Sequence, residues 1–179
     1  MKTLALITAI AATGHDDDLA PLLQACTDAG IHARVVAWDD TTVSWSRYDA
    51  ALLRSPWDYT ERLPEFLAWC ERVAATTVLH NPLHVIRWNT DKHYLADLAA
   101  MDVPVVPTQF VEVDAEPLEA LQSFLAAHSA EELVVKPAVS AGARDTQRYA
   151  RSQEFAASNH VARPLEARRS VMLQPYLRA

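Results

Sequence analysis

The chain has 179 residues, of which half are hydrophobic and 22% are charged, as in an ordinary globular protein. Its net charge of −7 argues against a nucleic-acid-binding surface, which would need a basic stripe. No segment reaches the roughly 18 apolar residues of a membrane span, and the N-terminus lacks the apolar run and cleavage site of a signal peptide. We therefore expect a cytoplasmic protein with no nucleic-acid or membrane partner.

Strands and helices alternate over the first 80 residues. Apolar runs predict strands at 3–10, 33–38, 50–53 and 77–79, and apolar residues recur at helical spacing from 19 to 26 and from 63 to 73. Such alternation predicts a parallel α/β layer. Asn81 and Pro82 break the pattern, so we place a domain boundary there, giving domains 1–82 and 83–179.

The cysteines and arginines are distributed unevenly between these predicted elements. Cys26 and Cys70 fall on the apolar faces of predicted helices and are expected to be buried free thiols, which fits a reducing compartment. Arginines are concentrated late in the chain, so an anionic ligand is better placed on that side. They are Arg144, Arg148, Arg151, Arg163, Arg168, Arg169 and Arg178.

The second domain is predicted to mix helices with a sheet that contains a hairpin. We expect helices at 83–88, 94–101 and 118–125, and strands at 109–113, 133–136 and 171–174, with 146–149 as the hairpin partner of 133–136. A helix over 152–161 should end there, because Pro164 prevents much continuation. Pro175 should stop the last strand.

Glycine is too scarce here for the common phosphate-binding loops. Only Gly14, Gly30 and Gly142 are present, so neither a G-x-G-x-x-G dinucleotide motif nor a Walker P-loop can be formed. A bound phosphate would have to be held in another way.

Lys136 closes an apolar predicted strand and is followed by Pro137. Burial of an ammonium group is costly without a partner anion, so this lysine could face a site. The small residues Ser140, Ala141 and Gly142 would let backbone N–H groups approach a phosphate closely, and Arg144 could add a forked contact. The alternative is a hairpin whose lysine reaches solvent.

A second lysine, Lys92, lies near the start of a predicted helix. With Asn89 or Thr90 as N-cap, its charge would oppose the helix dipole unless an anion binds beside it. The alternative is an exposed lysine at a tolerant position. A third segment, 170–177, predicts a buried strand and a proline hinge whose backbone could pair with an adenine edge, or simply the end of the strand.

Three further groups of residues have both a ligand-binding and a structural interpretation. The segment 54–59 follows a strand at the edge where α/β sheets place ligands, although its aromatic residues could serve packing only. His15 with the aspartates 16–18 could bind a cation, but a solvated helix N-terminus explains them better. His80 and His84 could share a metal, but Pro82 between them argues against a common helix face.

Taken in order, these segments resemble the ATP-grasp superfamily. The order is Lys92, Lys136-Pro137, the loop from Ser140 to Gly142, and the hinge at 174–177. A narrower resemblance, to the cyclo-ligases of cycloserine biosynthesis that close O-ureido-D-serine, rests on segments 54–59, 87–95 and 136–146. The resemblance implies a parallel-sheet, Rossmann-like pre-ATP-grasp domain followed by the first α+β subdomain of an ATP-grasp fold.

The resemblance also implies a chemistry. ATP would phosphorylate a carboxylate, and a nitrogen of the same molecule would attack the acyl phosphate and close a five-membered ring. The substrate is a small amino acid, and a homo-oligomer is compatible with this reading. The residues implied for phosphate are Lys92, Lys136, Ser140, Ala141 and Gly142; for adenine, Gln174, Tyr176 and Leu177; for substrate, Arg54, Trp57, Asp58, Tyr59 and Arg144.

Members of this superfamily bring their magnesium ligands from a later segment. We therefore expect the Mg²⁺ ligands beyond residue 179, an incomplete nucleotide-binding subdomain, and no ATP turnover by these residues alone. Two readings remain beside a ligase: a non-catalytic module that binds a nucleotide or a partner, and a structural fragment without a ligand.

Overall fold

The computed structural model describes residues 2–177, which form two compact units, Met1–Trp88 and Asn89–Ala179. The break between the units lies a few residues beyond the boundary predicted after Pro82. None of the helices within residues 2–177 combines the length and the apolar character that a membrane span requires.

The first unit is built on a four-stranded parallel sheet. The strands stand in the order β2-β1-β3-β4, which confirms the predicted parallel α/β layer. The elements are β1 (Thr3–Thr8), α1 (Leu19–Asp28), β2 (His32–Ala37), β3 (Ala50–Ser55), α2 (Leu63–Ala74), β4 (Val78–His80) and α3 (Leu83–Asn89).

Aromatic side chains dominate the core of this unit. Trp38 meets Phe66 edge-on at 5.4 Å between ring centroids, and Phe66 stacks on Trp69 at 5.7 Å; all three are buried. Cys26 and Cys70 are buried free thiols, as predicted. Burial raises the pKa of the Cys70 thiol to about 12, so it stays protonated and serves packing.

The second unit contains a four-stranded antiparallel sheet in the order β5-β8-β6-β7. The predicted hairpin of β6 and β7 is confirmed by their antiparallel pairing. The elements are α4 (Tyr94–Ala100), β5 (Gln109–Val111), α5 (Pro117–Ala127), β6 (Glu132–Pro137), β7 (Gln147–Ala150), α6 (Glu154–Glu166) and β8 (Val171–Pro175).

The two faces of this antiparallel sheet differ in chemistry. Leu133 and Val135 of β6 pack with Phe124 of α5 and Val161 of α6 in one buried cluster. Because side chains alternate along a strand, Lys136 lies on the opposite face of β6. The helices therefore cover the apolar face, and the lysine face is left for other contacts.

One proline prediction was wrong and another was confirmed. Helix α6 continues through Pro164 to Glu166, because Pro164 lies in the last turn and removes only the bond to the His160 carbonyl, while Pro164 and Leu165 are buried. Strand β8 ends at Pro175, as predicted; Pro175 is its last residue and stands in register with Leu133.

Candidate functional site

Lys136 lies near the end of β6, half-buried. Among residues 2–177, no hydrogen-bond acceptor or carboxylate contacts its Nζ. Burial lowers the pKa of this ammonium group, because desolvation disfavours its charged form. The side chain is therefore a partly desolvated cation for which the described part of the chain supplies no anion.

Lys92 interacts electrostatically with Lys136, and within the described residues its Nζ hydrogen-bonds only to neutral groups. Its Nζ donates to the Ser140 carbonyl at 2.8 Å, to Ser140 Oγ at 2.9 Å and to the Ala138 carbonyl at 3.3 Å. Burial, and then the neighbouring Lys136 ammonium, lower its pKa, while Asp91 opposes them. The two ammonium groups are thus near enough to interact, and both add to a positive local potential.

The predicted N-cap at Asn89 or Thr90 was wrong. Asn89 ends α3 and α4 begins at Tyr94, so Lys92 lies in the turn between the helices. Its backbone N–H donates to the Ala138 carbonyl at 3.0 Å, and Thr90 is buried. This contact with the segment after β6, rather than a helix dipole, positions the lysine.

The loop after β6 begins at Ser140, whose hydroxyl donates to the Pro137 carbonyl at 3.2 Å. Three residues then have left-handed backbone: Gly142 (φ 59°), Ala143 (φ 56°) and Asp145 (φ 51°). A side chain at 142 would meet no atom within 4 Å, so Gly142 serves the backbone conformation and not a close approach within the chain. The loop is exposed beyond Ala141 and could cover a bound phosphate.

Lys92 is followed by a residue to which the sequence analysis assigned no role. His93 Nδ1 lies 2.6 Å from Asp91 Oδ1, His93 Nε2 lies 3.0 Å from Glu112 Oε1, and the ring stacks on Phe110 at 4.0 Å. Burial lowers the pKa of His93, but the bonds to Asp91 and Glu112 outweigh burial and raise it. The imidazole thus anchors the Lys92 turn to β5. Asp91 is two positions from His93 and could have indicated this role in the sequence, whereas Glu112 is 19 positions away and could not.

The residues predicted to line an adenine pocket have different environments. Gln174 is buried, and its Nε2 donates to Thr108 Oγ1 at 2.8 Å. Leu177, by contrast, is 61% exposed, so its apolar side chain is accessible to a ligand. The role of these residues at adenine stays a prediction.

Tyr176 follows the last strand and is held by two contacts. Its backbone N–H donates to the Glu132 carbonyl at 2.9 Å, and its ring lies beneath the Arg148 guanidinium at 4.4 Å. The amide of the predicted hinge residue is therefore already paired, and the ring is the part of Tyr176 best suited to stack on a base.

In the first unit, Arg54 at the end of β3 is paired with carboxylates. Its Nη2 lies 2.9 Å from Asp16 Oδ1 and 2.6 Å from Asp18 Oδ2. The Asp16 side chain is only 3% exposed, so the reading of Asp16 as part of a solvated helix N-terminus was wrong. The predicted contact of Arg54 with a substrate carboxylate stays a prediction, and it would compete with these ion pairs.

The residues after Arg54 are partly committed to packing. Asp58 accepts a hydrogen bond from Trp38 Nε1 at 2.8 Å and pairs with Arg62 at 3.1 Å. Tyr59 packs against the aromatic core, whereas Trp57 is 41% exposed. Of these three predicted substrate residues, Trp57 offers the most accessible surface.

Metal-ligating side chains are not grouped in the described part of the chain. Within residues 2–177, no three His, Cys, Asp or Glu side chains come together as a metal site would require. His80 is in β4 and His84 is in α3, so they do not share a helix face.

Comparison with known proteins identifies the relatives of this chain. Residues 4–81 match the family described as D-cycloserine synthetase DcsG, N-terminal domain. Over 178 residues the chain is 49% identical to the cycloserine biosynthesis protein DcsG of Streptomyces lavendulae, and the match covers 99% of this chain and 60% of that protein. The chain thus spans about three fifths of this relative.

Solved structures show the same relationship. The crystal structure of D-cycloserine synthetase DcsG matches with a TM-score of 0.91 and 49% identity, covering 98% of this chain and 59% of that one. A RimK domain ATP-grasp protein from Sphaerobacter thermophilus DSM 20745 matches in fold, with a TM-score of 0.71 at 19% identity, covering 99% and 65%. Residues 4–81 therefore match the DcsG N-terminal domain family, and the chain shares its fold with D-cycloserine synthetase DcsG and with an ATP-grasp protein.

Proposed function

We propose that this chain is the nucleotide-binding part of an ATP-dependent ligase that acts in cycloserine biosynthesis. The observation that carries the proposal is the adjacent pair Lys92 and Lys136, to which no carboxylate within residues 2–177 is hydrogen-bonded. A polyphosphate would supply the missing negative charge. The similarity to DcsG supports the biosynthetic context.

The two lysines have different roles in this proposal. Lys136, whose Nζ has no acceptor among the described residues, binds the phosphate oxygens directly. Lys92 is held by the Ser140 carbonyl and hydroxyl, so it fixes the start of the loop and adds positive charge behind it. Catalysis of phosphoryl transfer rests mainly on such positioning and charge neutralisation.

The proposed reaction has two steps. A substrate carboxylate oxygen attacks the γ-phosphorus of ATP, and the bond to the bridging oxygen breaks to release ADP. A nitrogen of the same molecule then attacks the acyl carbon, expels inorganic phosphate and closes a five-membered ring. The substrate proposed is O-ureido-D-serine, with Arg54, Trp57, Asp58, Tyr59 and Arg144 as its contacts.

Magnesium enters this proposal only through the family resemblance. Within residues 2–177 the carboxylates are not grouped as a metal site needs. We therefore assign no step to the metal. The direct test is consequently nucleotide binding.

The test is a calorimetric titration of ATP into the wild-type chain and its Lys136→Met variant. Loss of one charge-assisted contact should weaken binding by about 1.5–3 kcal/mol, or about 10- to 150-fold. Lys2→Met is the matched control, because Lys2 is 82% exposed and its ion-pair partner is Asp49. Equal affinity of the wild type and Lys136→Met would refute the phosphate assignment.

A second titration separates a ligase from a non-catalytic nucleotide-binding module. O-ureido-D-serine is added to the chain saturated with a non-hydrolysable ATP analogue. A ligase site should bind it, and Trp57→Ala should weaken that binding because Trp57 presents the accessible aromatic surface. Binding of nucleotide without any binding of the amino acid would favour the module.

A further inference from the structure

A small pocket lies in the second unit, separate from the two lysines. Its volume is about 170 Å³, which at about 30 Å³ per water is room for several waters or one tetrahedral oxyanion. Its lining combines two guanidinium groups, one carboxylate, one imidazole and small apolar surface, from Asp145, His160, Arg163, Pro164, Ala167 and Arg169.

His160 is the buried polar residue of this pocket. The residue is 5% exposed, and its Nδ1 has no hydrogen-bond partner among the described residues. Burial and the Arg163 guanidinium lower its pKa, and a hydrogen bond to the Asp145 backbone opposes them. The ring is therefore neutral: Nε2–H donates to the Asp145 carbonyl, and Nδ1 keeps a lone pair that lacks a donor.

The charges that face His160 favour an anion. Arg163 and Arg169 line the pocket and Asp145 is its only lining carboxylate, so the net formal charge is positive; the neighbouring Tyr149 ring lies 5.8 Å from His160. Arg169 Nη2 donates to the Val139 carbonyl at 3.0 Å, which anchors the side chain and leaves its other donors for a ligand. Arg163 has no ion-pair partner within residues 2–177.

We propose that this pocket binds a protonated phosphate group. Arg163 and Arg169 donate to its oxygens, and its P–OH donates to His160 Nδ1. A monohydrogen phosphate ion satisfies all three protein groups together. Sulfate has the same shape and charge but carries no hydrogen for the imidazole, so it leaves Nδ1 unpaired.

The pocket is connected to the loop after β6 at both ends. Arg169 donates to the Val139 carbonyl, and His160 is hydrogen-bonded to the backbone of Asp145. Val139 and Asp145 flank the segment 140–144. An anion that orders the two side chains should therefore also order that loop. On the proposed function, whose reaction releases inorganic phosphate, this makes the pocket a product-binding site; the binding itself does not depend on that function.

The experiment is a calorimetric titration of inorganic phosphate at pH 8, performed in the Lys136→Met background so that the proposed nucleotide site does not contribute. We expect binding that Arg163→Gln and Arg169→Gln each weaken about tenfold or more. Arg168→Gln is the matched control, because Arg168 is 77% exposed and is not a lining residue. Sulfate should bind at least about tenfold more weakly than phosphate.

Three results would overturn the proposal: no phosphate binding, equal affinity for sulfate, or equal losses in Arg168→Gln and the pocket variants. A second measurement, the ¹⁵N chemical shift of His160 Nδ1, should change on phosphate addition and stay constant with sulfate. Glycerol phosphate is a second probe, since a phosphomonoester has lost its P–OH hydrogen at pH 8 and should bind as weakly as sulfate; affinity equal to that of inorganic phosphate would contradict the hydrogen bond to Nδ1. Failure of the ATP titration with these results intact would reject the nucleotide site alone.

Discussion

Each unit of this protein places a cation near the end of a strand, and the two cations have opposite environments. Arg54 of β3 meets the carboxylates of Asp16 and Asp18. Lys136 of β6 meets no carboxylate among the described residues, and its charge acts on another lysine, Lys92. The first arrangement is an ion-pair network that neutralises the arginine within the chain. The second leaves its charge for a ligand, which is typical of a functional site.

The largest effect should come from breaking the ion-pair network of Arg54. Arg54→Met leaves the Asp16 carboxylate, 3% exposed, without its cation, and should lower the free energy of unfolding by about 2–3 kcal/mol. Urea denaturation measures it, with the exposed Arg34→Met as control. An unchanged midpoint would mean that Arg54 is not structural, and would strengthen its assignment to the substrate.

Lys136→Met should have the opposite effect on stability. It removes a half-buried ammonium without breaking any hydrogen bond within residues 2–177, so the free energy of unfolding should stay constant or rise by up to about 1 kcal/mol. The same urea experiment without ATP tests this. A loss comparable to that of Arg54→Met would show that Lys136 is a structural cation, and the contrast between the two units would disappear.

A smaller effect is expected at the start of the loop. Ser140→Ala removes the hydroxyl that accepts from Lys92 and donates to the Pro137 carbonyl, while the Ser140 carbonyl still holds Lys92. We expect a loss of about 0.5–1.5 kcal/mol in unfolding free energy. Ser123→Ala, at an exposed position of α5, should cause no loss. Equal effects of the two substitutions would remove the loop-fixing role from Ser140.

The smallest effect should depend on pH. Since the folded state raises the pKa of His93, its contribution is fully present below the unfolded pKa of about 6.5 and is lost as the pH rises through the folded value. His93→Gln should therefore be less stable than wild type at pH 5.5, by about 0.2–1 kcal/mol as for exposed ion pairs, and less affected at pH 8.5. His84→Gln, at an exposed position, is the control; a difference independent of pH would contradict this account.

Part of the candidate site was predictable because its signals are local. A lysine at the end of an apolar strand, followed by Pro137 and a run of small residues, is visible within a dozen positions of sequence, and the structure places Lys136 at the predicted strand end. The contact of Lys92 with Ser140 joins residues 48 positions apart. Before the structure was known, only the family resemblance predicted that these two lysines belong to one site.

The errors share one physical cause. Asn89 or Thr90 was predicted as an N-cap, and Pro164 as the limit of a helix, by rules for isolated segments; in the structure Thr90 and Pro164 are buried. Asp16 was interpreted as part of a solvated helix N-terminus, whereas Arg54 pairs with it from β3. Local propensities amount to about 1 kcal/mol, so a buried ion pair or a core contact overrides them.

The sequence by itself determined the alternation of strands and helices, the parallel class of the first sheet and the hairpin of β6 and β7, because hydrophobic period and turn residues act over a few positions. Only the tertiary structure decided which charges are neutralised. In the folded chain Arg54 pairs with Asp16, and His93 contacts Glu112. Lys136 and Lys92 interact with each other, and no carboxylate within residues 2–177 is hydrogen-bonded to either. The interaction between two charges depends on their distance in space, and for residues far apart in the sequence folding sets that distance.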